Sequence, residues 1–247
     1  MPADGREALR ALERALRRML GNADGGRLRY VFTPRFAGSC SMSLMHRVGQ
    51  TARETGGIVQ SHLAENVDEV RWIHELFPDK PSYAAVYDAA GLLGARTIMA
   101  HCIHLSDEET NLLAKRQVKI AFCPYSNRTL RSGIMPYRKL RNAGLTISLG
   151  TDIAGGPSLS MFEQLREAIR ATAMTPVQAL YLATLAGARA LGISDQIGNF
   201  AAGKDADFTV VDVMPRRTAE EALSTLCLQC DKKCVVEVYV QGNLMYF

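Results

Sequence analysis

Arg96-Thr97-Ile98-Met99-Ala100-His101-Cys102-Ile103-His104-Leu105-Ser106-Asp107-Glu108-Glu109 decides how the rest of the chain is read. The opening run, 96–100, is apolar, rich in strand-favouring residues and too short for a helix. It stops at His101. Ser106 then offers a hydroxyl to a helix start, and Asp107, Glu108 and Glu109 place acids in the first turn, where the helix dipole favours them. Strand, loop and helix form one unit.

The same unit recurs on both sides. Further strand candidates lie at 28–33, 57–61, 118–122 and 145–149, and amphipathic stretches predict helices at 42–55, 65–76, 107–116, 135–142 and 160–173. This alternation predicts an α/β fold with a parallel sheet. Five strands do not close an eight-stranded barrel, so the sheet is either open or part of a barrel. After Pro176 the pattern changes. One helix is predicted at 177–191, then a turn-rich stretch, then strands at Phe208–Val211 and Val235–Val240. These read as pieces of a small β-domain appended to the α/β core.

Composition narrows the class. With 247 residues, 47% hydrophobic and 22% charged, the chain suits one globular domain or a domain and a half. A net charge of +4, spread along the chain, gives no warrant for nucleic acid. The basic stretch 6–18 carries Leu9, Leu12 and Leu16 at helical spacing, so its arginines read as a solvated helix face. Without an apolar run of about 18 residues, no membrane span is expected. The N-terminus has no apolar core of a leader peptide, so a cytoplasmic location is expected. Cys40, Cys102 and Cys123 lie in or beside apolar runs and are expected as reduced, buried thiols.

In parallel βα architectures catalytic groups collect at the C-terminal ends of strands. His62 follows the strand candidate 57–61, His101 follows 96–100, and Thr151-Asp152 lies just beyond 145–149. Imidazole nitrogens and a carboxylate oxygen suit zinc, which lowers the pKa of a bound water toward neutrality. Glu65, three residues past His62, is placed to carry a proton, although on the residues alone it reads equally as a helix-start acid. His46 and His74 fall within predicted helices and read as structural, and His104 as a surface or supporting residue. Gly150, Gly155 and Gly156 read as turn residues. Cys227 and Cys230 with Cys234 resemble a metal knuckle, but no second pair completes four ligands. The His-x-Glu of the cytidine-deaminase zinc site is absent from the sequence.

The strand-end motifs Gln60-Ser61-His62-Leu63-Ala64-Glu65-Asn66, Met99-Ala100-His101, Cys123-Pro124-Tyr125-Ser126-Asn127 and Leu149-Gly150-Thr151-Asp152-Ile153-Ala154-Gly155-Gly156 together resemble those of the amidohydrolase superfamily. Pro34-Arg35-Phe36 before Ser39-Cys40-Ser41 is similar to its guanine deaminase branch, as is Ile197-Gly198-Asn199-Phe200 before Gly203-Lys204-Asp205-Ala206-Asp207. The resemblance implies a partial TIM-type (β/α) barrel at 1–196, with about five of eight strands, and part of a C-terminal β-sandwich at 197–247. It implies His62 and Asp152 as zinc ligands and Glu65 as proton shuttle. It implies His101 as the group that polarises the substrate or orients the attacking water, and Asp152 as a base on that water. Arg35 and Phe36, with His62, Glu65 and His101, would contact the purine. The implied reaction converts guanine and water to xanthine and ammonia.

The His-x-His that supplies two further ligands in that superfamily does not occur in the sequence, and 160–173 runs almost directly into Thr175-Pro176, where relatives carry a longer insertion. The chain therefore resembles the C-terminal portion of such an enzyme. Two ligands in place of four imply weak zinc binding, and the expectation is little or no guanine deamination by the 247 residues alone. An open sheet implies a partner, either a second copy in a homodimer or a chain that supplies the missing strands. Two alternatives stand beside this reading. One is a non-catalytic remnant or subunit, and the other is an amidohydrolase acting on another amino- or chloro-heterocycle.

Overall fold

The computed structural model describes residues 29–213 and 218–246; the amphipathic stretch 6–18 lies outside the described residues. Five strands form one sheet: β1 Val31–Phe32, β2 Ile58–Leu63, β3 Thr97–His101, β4 Lys119–Phe122 and β5 Thr146–Leu149. They are all parallel and stand in the order β1-β2-β3-β4-β5. Sequential order with helical crossovers is the arrangement of successive βα units in a TIM-type barrel, and this is a partial one.

The connections are α1 Met42–Thr55, α2 Val67–Leu76, α3 Tyr83–Ala89, α4 Asp107–Lys115, α5 Pro124–Thr129 and α6 Tyr137–Asn142, followed by α7 Met161–Thr172, α8 Pro176–Ala183 and α9 Leu185–Leu191. Local chemistry sets their ends. The Ser41 hydroxyl accepts from Leu44 N at 3.2 Å to start α1, and Gly56, with φ 64°, ends it in the left-handed conformation glycine tolerates. Ser106 and Glu109 form the reciprocal capping box of α4, at 3.1 and 3.0 Å.

Two departures from the expected pattern have physical causes. The helix expected over 177–191 is broken at Thr184, where φ −121° and ψ −96° leave the helical region and the hydroxyl donates to Leu180 O at 2.7 Å. Helix α3 is too short for its period to show, yet its buried face, Tyr83, Ala84, Val86 and Tyr87, is central to the core. Cys227 lies in the last turn of α10 Ala219–Gln229, Cys230 caps that helix and Cys234 ends the short 3-10 turn Lys232–Cys234.

The second sheet is antiparallel, β6 Phe208–Val211, β7 Val235–Val240 and β8 Asn243–Tyr246, in the order β6-β7-β8. Phe208 stacks on Tyr239 with centroids 4.5 Å apart. The strand β8 was not legible as a separate element. Helix α10 packs on α7 and α8, with Cys227 Sγ 3.6 Å from Pro176 O and Arg166 Nη1 donating to Cys230 O at 2.6 Å. Phe32, Leu63, Met99, Ile120 and Phe122 of the parallel strands join Met45, Ile73, Tyr83, Tyr87 and Leu113 of the helices in one core, each essentially without exposure.

Candidate metal centre and active site

Register places the site. His62 lies inside β2 opposite Ala100, and Leu63 is opposite His101, the last residue of β3. Asp152 stands three residues past β5. The three side chains thus do not share one position, as a reading of strand ends suggests; they step outward from β2 to β5. Strand β2 runs on past Ser61 because the neighbouring segment holds it: Ser61 Oγ donates to Pro34 O at 2.8 Å and His62 N donates to Arg35 O at 3.1 Å.

The backbone turns sharply where chemistry is expected. Ala64, His101, Cys102 and Asp152 have φ of 51°, 69°, 53° and 50°. Each non-glycine residue there costs about 1–2 kcal/mol. Such strain persists where surrounding contacts over-determine it, and it clusters at functional sites. The contacts are present: Cys102 N, Ile103 N and His104 N donate to Leu63 O, Ala64 O and Ala64 O at 2.9, 3.1 and 3.0 Å.

His62, His101 and Asp152 converge, with one ligand atom of each within 4.8 Å of the others. The imidazoles stack with centroids 5.2 Å apart. His62 Nδ1 lies 2.7 Å from the carbonyl of Arg35, which only accepts, so Nδ1 carries the proton and the Nε2 lone pair is free. His101 is fully buried, and its Nδ1 lies 2.9 Å from the amide oxygen of Asn127. With that oxygen facing the ring, Nδ1 donates and Nε2 again keeps its lone pair. Among the described residues Nε2 of His101 has no hydrogen-bond partner, although a buried polar atom ordinarily has one. Two imidazoles held with Nε2 bare, beside a carboxylate, form a donor set that fits zinc.

Glu65 stands beside this set, its Oε2 3.5 Å from His101 Nε2 and its Oε1 accepting from Ser132 Oγ at 3.2 Å. Its main chain is fixed by Glu69, whose Oε2 accepts from Glu65 N at 2.9 Å and from Asn66 N at 3.2 Å. The Tyr83 hydroxyl donates to Glu69 Oε1 at 2.7 Å, and the Tyr87 hydroxyl donates to His62 O at 2.7 Å while accepting from Ala37 N at 2.9 Å. Burial pushes the Tyr87 phenol up to about 12, so it stays a neutral donor. Glu69, Tyr83, Tyr87 and Ser132 were not singled out from sequence, and Asn127 stood only as the end of the motif Cys123-Pro124-Tyr125-Ser126-Asn127, without a role. Of the first four, only Glu69 carried a signal, its helix-start position three residues after Asn66.

The other residues sort plainly. His104 is half-buried with Nε2 2.8 Å from Ser132 O, so it holds the segment that reaches Glu65, while His46 and His74 are exposed on α1 and α2. The turn reading of the glycines is sharpened at Gly155, where a Cβ would collide with the Asp152 carboxylate, and its N–H donates to Asp152 O at 3.0 Å. Arg35 meets His62 through its carbonyl; its side chain is exposed, with the guanidinium 5.7 Å from the centroid of the Phe36 ring. Cys123 is buried near the site, and burial, then Asp152 and Glu65, keep its thiol protonated. All six cysteines are free, with Cys102 and Cys123 buried as expected and Cys40 only partly buried against the core. Among the described residues Cys227, Cys230 and Cys234 form no ligand set.

The amidohydrolase family pattern matches residues 3–245. This chain belongs to the amidohydrolase family. Among its relatives, guanine deaminase of Dictyostelium discoideum is 37% identical over 237 residues, covering 88% of this chain and 53% of that protein. The solved E. coli guanine deaminase superposes with a TM-score of 0.86 at 36% identity, over 90% of this chain and 55% of that one. Guanine deaminase from C. acetobutylicum, with guanine bound in its active site, gives a TM-score of 0.83 at 35% identity, over 87% and 55%. This amidohydrolase chain therefore spans about half the length of the relatives it matches. The described residues contain no helix long and apolar enough to cross a membrane.

Proposed function

We propose that this amidohydrolase chain carries part of a zinc-dependent guanine deaminase site, which converts guanine and water to xanthine and ammonia. The observation that carries the reading is the convergence of His62, His101 and Asp152 within 4.8 Å, with Glu65 alongside. His62 and Asp152 would hold the metal, and His101 would complete the donor set or face the substrate. A bound zinc ion supplies Lewis acidity and lowers the pKa of water toward neutrality.

The chain's own groups divide the remaining work. Asp152 takes a proton from the attacking water. Glu65, within reach of His101 and steadied by Ser132, carries a proton to the departing amine. His101 orients the reacting carbon's neighbours from a position that Asn127 fixes. Arg35 and Phe36 bind the purine, the guanidinium as donor fork and the ring by packing. The barrel portion covers 1–196 and the sandwich portion 197–247, and the protein acts in the cytoplasm, as a homodimer or beside a chain that completes the barrel.

The test supplies the metal-free chain with zinc and guanine and follows xanthine. The expected result is zinc-dependent guanine binding and xanthine formation well below the usual ~1–10³ per second. Glu65→Gln should abolish that turnover and leave zinc bound. Zinc binding without guanine affinity, or turnover indifferent to Glu65→Gln, would contradict the proposal. Stronger binding of a chlorinated or aminated triazine than of guanine would move the assignment to another heterocycle.

A further inference from the structure

At the opposite end of the sheet from His62, His101 and Asp152 lies a cleft of about 490 Å³. Gly57 precedes β2, Arg96 precedes β3 and Arg116 ends the turn before β4, so the cleft stands roughly 15–20 Å from the metal centre at about 3.3 Å per strand residue. Three arginines line it, Arg53, Arg96 and Arg116, and Asp88 is the one acid among its lining residues.

The arginines differ in how far they are already used. Arg116 donates from Nε and Nη2 to both carboxylate oxygens of Asp88, at 2.7 and 3.0 Å. Arg53 donates from Nη1 to Gly91 O at 2.6 Å, and a Cβ on Gly91 would collide with that guanidinium. Arg96 has no ion pair among the described residues; its guanidinium stands over the C-terminal turn of α1, where a Cβ on Gly56 would lie 3.9 Å from Nη1. Its main chain is fixed, because its carbonyl accepts from Val59 N at 3.0 Å. Asp88 offsets one of three charges. The surplus is two positive charges on planar forks whose remaining N–H groups face one cleft. Val59 and Leu92 add an apolar wall.

We propose that this cleft binds a phosphate monoester of nucleotide or sugar-phosphate size. Arginine forks match a phosphate in geometry and charge. The volume falls in the range of small-molecule sites, about 300–1,000 Å³, and exceeds what a bare phosphate fills. Local partners account for part of this arrangement, since Arg53 holds Gly91 O, Arg116 holds Asp88 and Arg96 faces the carbonyl end of α1, but of these only Asp88 carries a full negative charge. The inference does not rest on the reading of the metal centre.

The experiment uses metal-free chain carrying His62→Ala, so the metal centre captures no phosphate. Calorimetric titrations are run with inorganic phosphate, ribose 5-phosphate, guanosine 5′-monophosphate and unphosphorylated guanosine. The expected result is saturable binding of at least one ester, tenfold or more tighter than inorganic phosphate, and no binding of guanosine at this cleft. Whether ribose 5-phosphate matches the nucleotide decides which ester class the cleft takes. Arg96→Gln, at an exposed side chain, should keep the fold and weaken ester binding about tenfold or more, while Lys80→Gln should change nothing. Absence of ester binding up to ~1 mM, equal affinity in Arg96→Gln, or guanosine binding as tightly as its phosphate would overturn the proposal.

Discussion

The Nδ1 protons of His62 and His101 are both committed to oxygen, on Arg35 and Asn127, and this leaves two Nε2 lone pairs aimed at one place. Asn127→Leu removes the acceptor behind a fully buried ring. An orphaned buried N–H costs about 1–3 kcal/mol, read as a lowered urea midpoint, and loss of a partner behind a metal-site histidine lowers metal affinity roughly 10–100-fold. An unchanged zinc affinity would show that Asn127 does not set the tautomer. Thiol reactivity makes a second check at this scale. Burial raises Cys102 and Cys123 well above the ordinary thiol range, and brings Cys227 and Cys230 up to about 11. At pH 8 their thiolate fraction is small, so iodoacetamide and mass spectrometry should find Cys40 and Cys234 modified first. His62, His101 and Asp152 were legible because each stands at or just past a strand with an apolar signature. The roles of Asn127 and Ser132 were not, because their partners lie 26 and 67 residues away and only folding brings them together.

At the scale of elements, β2, α2 and α3 form one supporting unit. The Tyr87 hydroxyl ties Ala37 N and His62 O, and Glu69 ties the first turn of α2 to the main chain of Glu65. Tyr87→Phe keeps the ring and removes those ties. It should lower stability by about 1–3 kcal/mol, measured by denaturant titration, and should weaken zinc binding because the backbone carrying His62 loosens. Stability lost with zinc affinity intact would confine Tyr87 to packing. The sequence located α1 to the residue, since Ser41 and Gly56 punctuate it with cap chemistry. It missed α3, whose seven residues are too few for a helical period to emerge, and it merged α8 with α9 because Thr184 breaks the helix without glycine or proline.

Across the whole molecule, a five-stranded parallel sheet in sequential order positions three candidate metal ligands at one end and gathers three arginines at the other. The fold class was legible because every βα unit repeats the same pattern. The convergence of the site was legible only in outline, because strand lengths and the loop before Asp152 set the actual steps between side chains. Three donors lie within reach of a single metal among the described residues. With fewer ligands than the four whose sites yield about 10–16 kcal/mol, binding should fall to a Kd of ~1 μM to 1 mM. Zinc titration of the metal-free chain by calorimetry tests this most directly. The account predicts one site per chain in that affinity range, abolished by His62→Ala and by Asp152→Ala and retained in His46→Ala and His74→Ala. Zinc binding that survives Asp152→Ala, or none at millimolar zinc in the unaltered chain, would contradict it.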